Sequence, residues 1–156
     1  MQDKKNFYIN GEWVSPSEQR SFQVINPATE EPCAEISLGG KKDIDAAVSS
    51  AKKAFETWSF SLKEERLALL EKLYEIYKKN WDNMSKTISL EVGAPIDFST
   101  QLQTGTGASH IKSFKNILKG FEFEKTLNEE KNQTILYEPK GVCALITPWN
   151  WPINQV

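Results

Sequence analysis

The sequence predicts an α/β chain. Apolar residues recur at helical spacing through a central block, from Asp43 to Gly120. β-forming segments bound that block on both sides. Near the end, Val142-Cys143-Ala144-Leu145-Ile146 is apolar without alternation, the pattern of a strand covered on both faces in a parallel sheet.

The elements follow in order. Phe7-Tyr8-Ile9-Asn10-Gly11-Glu12-Trp13-Val14 predicts a hairpin, because Asn-Gly tolerates the positive φ angles of a type I′ turn. Residues 21–26 and 33–37 read as strands around the polar turn Pro27-Ala28-Thr29-Glu30-Glu31. From Asp43, Ile44, Ala47, Val48, Ala51, Ala54, Phe55 and Trp58 share one helical face, with Asp43 and Asp45 at the dipole's positive end. Ser61-Leu62-Lys63-Glu64 reads as a capping box opening a second helix. The buried stripe of that helix is Leu67, Leu70, Leu73, Tyr74, Tyr77 and Trp81.

A third helix, 83–92, stops at Gly93, and Pro95 opens a fourth, 96–119, with Gly120 as its C′ residue. Gly105 and Gly107 weaken that helix by about 1 kcal/mol each relative to Ala, which predicts a close approach of a neighbouring element. Residues 121–127 and 133–138 form a second hairpin region, joined by Asn128-Glu129-Glu130-Lys131, and Pro139-Lys140-Gly141 breaks it.

Composition narrows the class. Of 156 residues, 39% are hydrophobic and 26% charged, which describes a globular chain and not a disordered one. A net charge of −2 with mixed signs offers no field for nucleic acid or an anionic membrane. No stretch reaches the roughly 20 apolar residues of a membrane span, and no signal-peptide core follows Met1. Cys33 and Cys143 are far apart and suggest neither a metal site nor a disulfide framework, so a cytoplasmic location is expected. Cys143, inside the apolar run, is expected to be a small core residue. His110 is expected to have a surface or packing role on its helix.

The chemistry concentrates in Thr147-Pro148-Trp149-Asn150-Trp151-Pro152. Open α/β sheets bind ligands beyond the carboxyl ends of their strands. Two prolines fix φ, two tryptophans present flat faces, and Asn150 carries a neutral amide suited to a developing oxyanion. By chemistry alone, a loop of packed aromatics explains the same residues, because one Asn is not a catalytic constellation.

Five segments in order give the chain a family likeness. Tyr8-Ile9-Asn10-Gly11-Glu12-Trp13, Val24-Ile25-Asn26-Pro27-Ala28-Thr29, Leu90-Glu91-Val92-Gly93-Ala94-Pro95-Ile96, Tyr137-Glu138-Pro139-Lys140-Gly141-Val142 and the closing turn resemble motifs of the NAD(P)-dependent aldehyde dehydrogenase superfamily. Trp151 stands where Phe is commoner, and Glu30 where Gly is usual.

The resemblance implies a partial Rossmann-like nucleotide-binding domain with N-terminal β-hairpins, a helical block and an oligomerisation β-hairpin. Residues 1–120 would be its N-terminal part, 121–140 the hairpin that joins subunits into a homo-oligomer, and 141–156 the first central strand and turn. It implies oxidation of an aldehyde substrate to a carboxylic acid with NAD or NADP as cofactor, through a cysteine thiohemiacetal and thioester. Asn150 would be the oxyanion donor. Ile146, Thr147, Pro148, Trp149 and Asn150 would line the cofactor cleft. Glu91, with backbone oxygen near Ile25, would hold a monovalent cation. The family's nucleophilic Cys and general-base Glu have no counterpart in these residues, so the segment alone is expected to be inactive. The competing expectation is a complete, short, non-catalytic binding or assembly module.

Overall fold

The computed structural model describes residues 4–128 and 130–154. Its order is β1 (Phe7–Ile9), β2 (Glu12–Val14), β3 (Ser21–Asn26), β4 (Glu31–Ser37), α1 (Lys41–Trp58), α2 (Lys63–Lys79), α3 (Trp81–Val92), α4 (Ile96–Phe98), a π-helical turn (Ser99–Gln103), α5 (Thr104–Gly120), β5 (Glu124–Asn128) and β6 (Gln133–Leu136). The strands make three separate antiparallel pairs, β1–β2, β3–β4 and β5–β6.

Each hairpin follows from its turn. Asn10 and Gly11 adopt φ 54° and 82°, the expected type I′ geometry, and place Tyr8 opposite Trp13 with ring centroids 5.1 Å apart. At the β3–β4 turn, the Asn26 side chain accepts from Ala28 N at 2.9 Å, and Glu30 takes φ 60°. A side chain in this left-handed region meets its own backbone, which explains why Gly suits that position. The ladder shifts register between Val24 and Ile25.

The helix ends are set by local chemistry. Asp43 accepts hydrogen bonds from Gly40 N at 2.8 Å and Ser17 N at 2.8 Å, which hold its carboxyl below the usual aspartate range. This ties the start of α1 to the loop after β2. At α2 the expected capping box is displaced by one residue: Leu62 N donates to Glu65 at 2.6 Å. Ser61 instead donates to Trp58 O at 2.7 Å, closing the α1–α2 corner. α3 ends at Gly93, φ 73°, where an added Cβ would lie 2.5 Å from Pro27 Cγ. Here glycine serves both the helix stop and the close packing of α3 on the β3–β4 turn. Gly120 is the last residue of α5, with Phe121 as its cap in extended geometry, so the left-handed C′ ending expected there is not formed. The Phe121 ring, 4.9 Å from Phe123 and 5.2 Å from Tyr137, directs the chain into β5 instead.

The core lies where α2, α3, the π turn and α5 meet. Its buried apolar residues are Tyr77, Ile88, Ala108 and Leu118. Ser85, Ser99, Gln103 and Thr104 are buried beside them. Tyr77 donates to Thr104 O at 2.7 Å, and the Ser85 and Thr104 hydroxyls are 2.9 Å apart. Lys115 pairs with Glu71 across the same α2–α5 crossing, which lowers the Glu71 pKa. Leu73, expected in the stripe of α2, is 47% exposed.

The largest departure concerns 142–146. This segment takes no regular secondary structure and joins no strand among the described residues, and Ile146 is 94% exposed. A parallel strand gains its cover from neighbouring strands and crossover helices, whereas the three strand pairs are antiparallel and the parallel pairing described is a single bridge between Lys4 and Ile36. Cys143 is therefore exposed, not a core residue. The apolar face of α1 is likewise open, with Ile44 61% and Trp58 48% exposed.

Two substitutions check this account. Glu30→Gly should raise the unfolding free energy by about 1 kcal/mol in urea titrations, since relief of left-handed strain exceeds glycine's entropy loss. Tyr77→Phe should cost about 1 kcal/mol near neutral pH through the lost hydrogen bond. Burial pushes the Tyr77 phenol up to about 12, so the fold favours its neutral form. That contribution is complete below the unfolded value of about 10 and is lost as the pH rises toward the folded value. The variant should therefore lose less stability over that alkaline interval, and parallel curves for parent and variant would contradict the assignment.

Candidate functional site

The closing turn sits on the helical core by its downstream half. Trp151 packs edge-on against Phe98, at the end of α4, with centroids 5.7 Å apart. Asn154 N donates to Trp151 O at 3.0 Å, curling the chain back. Ile153 reaches Gly107 on α5, where an added Cβ would overlap Ile153 Cγ2 and the Tyr77 hydroxyl. His110, three residues further along α5, places Nε2 2.7 Å from Asn154 Oδ1. The expected close approach at Gly107 is thus present, whereas a Cβ at Gly105 would meet nothing within 4 Å.

The upstream half faces outward. Ile146, Thr147, Pro148, Trp149 and Asn150 are all exposed, and Trp149 retains 74% of its accessible surface. The Asn150 amide makes no hydrogen bond among the described residues, so its donors are presented to whatever approaches. The anchored half therefore holds an apolar, aromatic wall ending in one neutral amide. That donor set suits the wall of a dinucleotide cleft and one contact to a developing oxyanion.

The other candidates stand apart. Cys33, half-buried on β4, donates to Val24 O at 3.3 Å. The Cys143 thiol lies 3.7 Å from Gly141 O, within its own segment. Glu91 is an exposed residue near the end of α3, and Ile25 is on β3, which packs against α3. The β3–β4 ladder shifts register between Val24 and Ile25, beside that position. Among the described residues, no cluster of three His, Cys, Asp or Glu side chains could hold a metal. No helix is long and apolar enough to cross a membrane. A groove of about 770 Å³ between the α1–α2 corner and the base of the β5–β6 hairpin includes none of the turn residues in its lining.

Sequence reasoning placed the turn but missed its supports. Phe98, Ile153 and Asn154 carry no signal of their own in the sequence. His110 was legible only as a packing residue, and its contact with Asn154 gives that packing a target.

The fold with this turn defines a class. A crystal structure of an aldehyde dehydrogenase from Bartonella henselae superposes with a TM-score of 0.95 at 51% identity, over 99% of this chain and 33% of that one. Aldehyde dehydrogenase C from Pseudomonas syringae, a cysteine-to-alanine mutant in complex with NAD+ and octanal, gives 0.92 at 37% identity over 97% of this chain and 30% of that one. The aldehyde dehydrogenase family model matches residues 13–156, and the chain belongs to that family. Among curated relatives, a 3-succinoylsemialdehyde-pyridine dehydrogenase from a Pseudomonas species is 42% identical, over 100% of this chain and 32% of its own length. A putative aldehyde dehydrogenase from Staphylococcus aureus is 37% identical over 99% and 32%. The chain spans about a third of the length of these curated relatives.

The two tryptophans of the turn should behave differently. Trp151→Ala should cost about 2 kcal/mol, from the lost Phe98 contact and the gap it leaves. Trp149→Ala should stay within about 0.5 kcal/mol, as an exposed substitution. Equal losses in chemical denaturation would show that the turn is not seated as described.

Proposed function

We propose that this chain forms the N-terminal part of an NAD(P)-dependent aldehyde dehydrogenase and contributes one oxyanion donor and one wall of the cofactor cleft. The observation that carries the reading is the exposed Asn150 amide, which makes no hydrogen bond among the described residues, on a turn anchored by Trp151, Ile153 and Asn154. The NAD+ and octanal bound by the P. syringae relative support the cofactor and substrate class.

Residues 1–120 and 141–156 belong to the nucleotide-binding domain in this reading. The 121–140 hairpin joins subunits of a homo-oligomer. Its strands keep Leu127 63% and Leu136 61% exposed, and an isolated two-stranded ribbon is marginal in water. Strand addition by a neighbouring subunit would cover it.

Catalysis begins when a cysteine thiolate, supplied from outside these residues, adds to the aldehyde carbon. The carbonyl oxygen gains negative charge as the carbon becomes tetrahedral. The Asn150 amide N–H donates to that oxygen, and because the turn is already seated, little reorganisation is needed as charge develops. Ile146, Thr147, Pro148 and Trp149 bind one side of the dinucleotide and shield it from water. When bound, NAD(P)+ supplies the two-electron oxidation that yields the thioester, which water then hydrolyses to the acid. Glu91 and backbone oxygen at Ile25 would hold a monovalent cation as a structural tie between α3 and β3.

In an active enzyme containing this segment, Asn150→Ala should lower kcat by about 10²–10³-fold, the loss typical of one oxyanion donor. An unchanged kcat, in an assay where chemistry limits turnover, would refute the role.

A further inference from the structure

We propose that Gly107 is a positioning residue for the Asn150 turn, acting together with His110. The inference rests on the oxyanion reading for its catalytic consequence. Its geometric content stands independently.

α5 meets the turn at two points on one face, three residues apart. At the first, the missing side chain of Gly107 leaves a slot between α5 and α2. Ile153 enters it from the turn and the Tyr77 hydroxyl from α2, and an added Cβ would overlap both and lie 3.0 Å from Tyr77 Cζ. Tyr77 cannot retreat easily, because it is buried and its hydroxyl is bonded to Thr104 O at 2.7 Å. The turn is the movable partner. At the second point, His110 bonds Asn154 at 2.7 Å. Ile153 and Asn154 follow Asn150 by three and four residues, and Pro152 stiffens the connection. A displacement at Ile153 is therefore passed to the amide and not absorbed between them.

Gly105 provides the internal control. It lies on the same helix, and a Cβ there would meet nothing within 4 Å. Both Gly→Ala changes improve helix propensity, so they differ chiefly in the slot.

The test uses the active enzyme containing this segment, with Gly105→Ala, Gly107→Ala, His110→Ala, His110→Gln and Asn150→Ala assayed under conditions where chemistry limits turnover. Gly107→Ala should lower kcat by about 10–10²-fold, the scale of a displacement of about 1 Å at a reacting group. Gly105→Ala should leave kcat unchanged. His110→Ala should lower kcat several-fold, and His110→Gln, which keeps a hydrogen-bonding group, should recover most of the loss. Equal kcat for Gly107→Ala and Gly105→Ala, with both folded, would overturn the proposal. If Gly107→Ala does not fold, the exposed His110 decides: His110→Ala with parental kcat overturns it, and a loss rescued by Gln supports it. If Asn150→Ala leaves kcat unchanged, the oxyanion reading fails by itself. Hydrogen exchange over 146–154 then judges the seating. Faster exchange in Gly107→Ala or His110→Ala, but not in Gly105→Ala, supports it, and identical exchange overturns it.

Discussion

The crossing of α2 and α5 at Tyr77, Thr104 and Gly107 is the constraint on which the other placements depend. A phenol can pass this close to a helix backbone only where the helix lacks a side chain. Gly107 provides that gap, and Thr104 O, one turn earlier, accepts the hydrogen bond of the Tyr77 hydroxyl. Thr104 also meets Ser85, so α2, α3 and α5 converge on one residue. Buried polar groups are costly unless satisfied, and a paired network permits few alternative arrangements. The junction thus acts as a locating pin, and the closing turn is seated against it through Ile153.

The π-helical turn between α4 and α5 belongs to the same junction. It carries buried Ser99 and Gln103 and follows directly on Phe98, the ring that receives Trp151. Widening a helix by one residue per turn re-aims every side chain after it. Downstream of this widening, Thr104, Gly107 and His110 face α3, α2 and the closing turn respectively.

Away from the junction, much apolar surface is open. Phe60 is 83% exposed, Leu145 76% and Ile146 94%, together with the outer face of α1 and both strands of the β5–β6 hairpin. At about 25 cal/mol per Å² of apolar surface buried, covering such faces would be a large stabilising term. Exposed apolar residues of this size leave these faces available for burial against another apolar surface.

Legibility followed the range of the forces. The Asn10-Gly11 turn and the Gly93 helix stop depend on neighbours within a few residues, and both are readable from the sequence, whereas of the stripe expected on α2 only Tyr77 is buried, Leu73 is exposed and Trp81 opens α3. The α2 cap slipped by one residue because Glu64 and Glu65 both lie within reach of the helix start, and local pattern does not choose between them. The run 142–146 has the pattern of a covered strand and no cover among the described residues, because an apolar pattern reports what a segment needs and not what covers it. The motif residues up to Asn150 were also visible in the sequence. Their seating on Phe98, Gly107 and His110 was decided only by the tertiary structure, because those contacts join residues more than forty positions apart and depend on how α2 crosses α5.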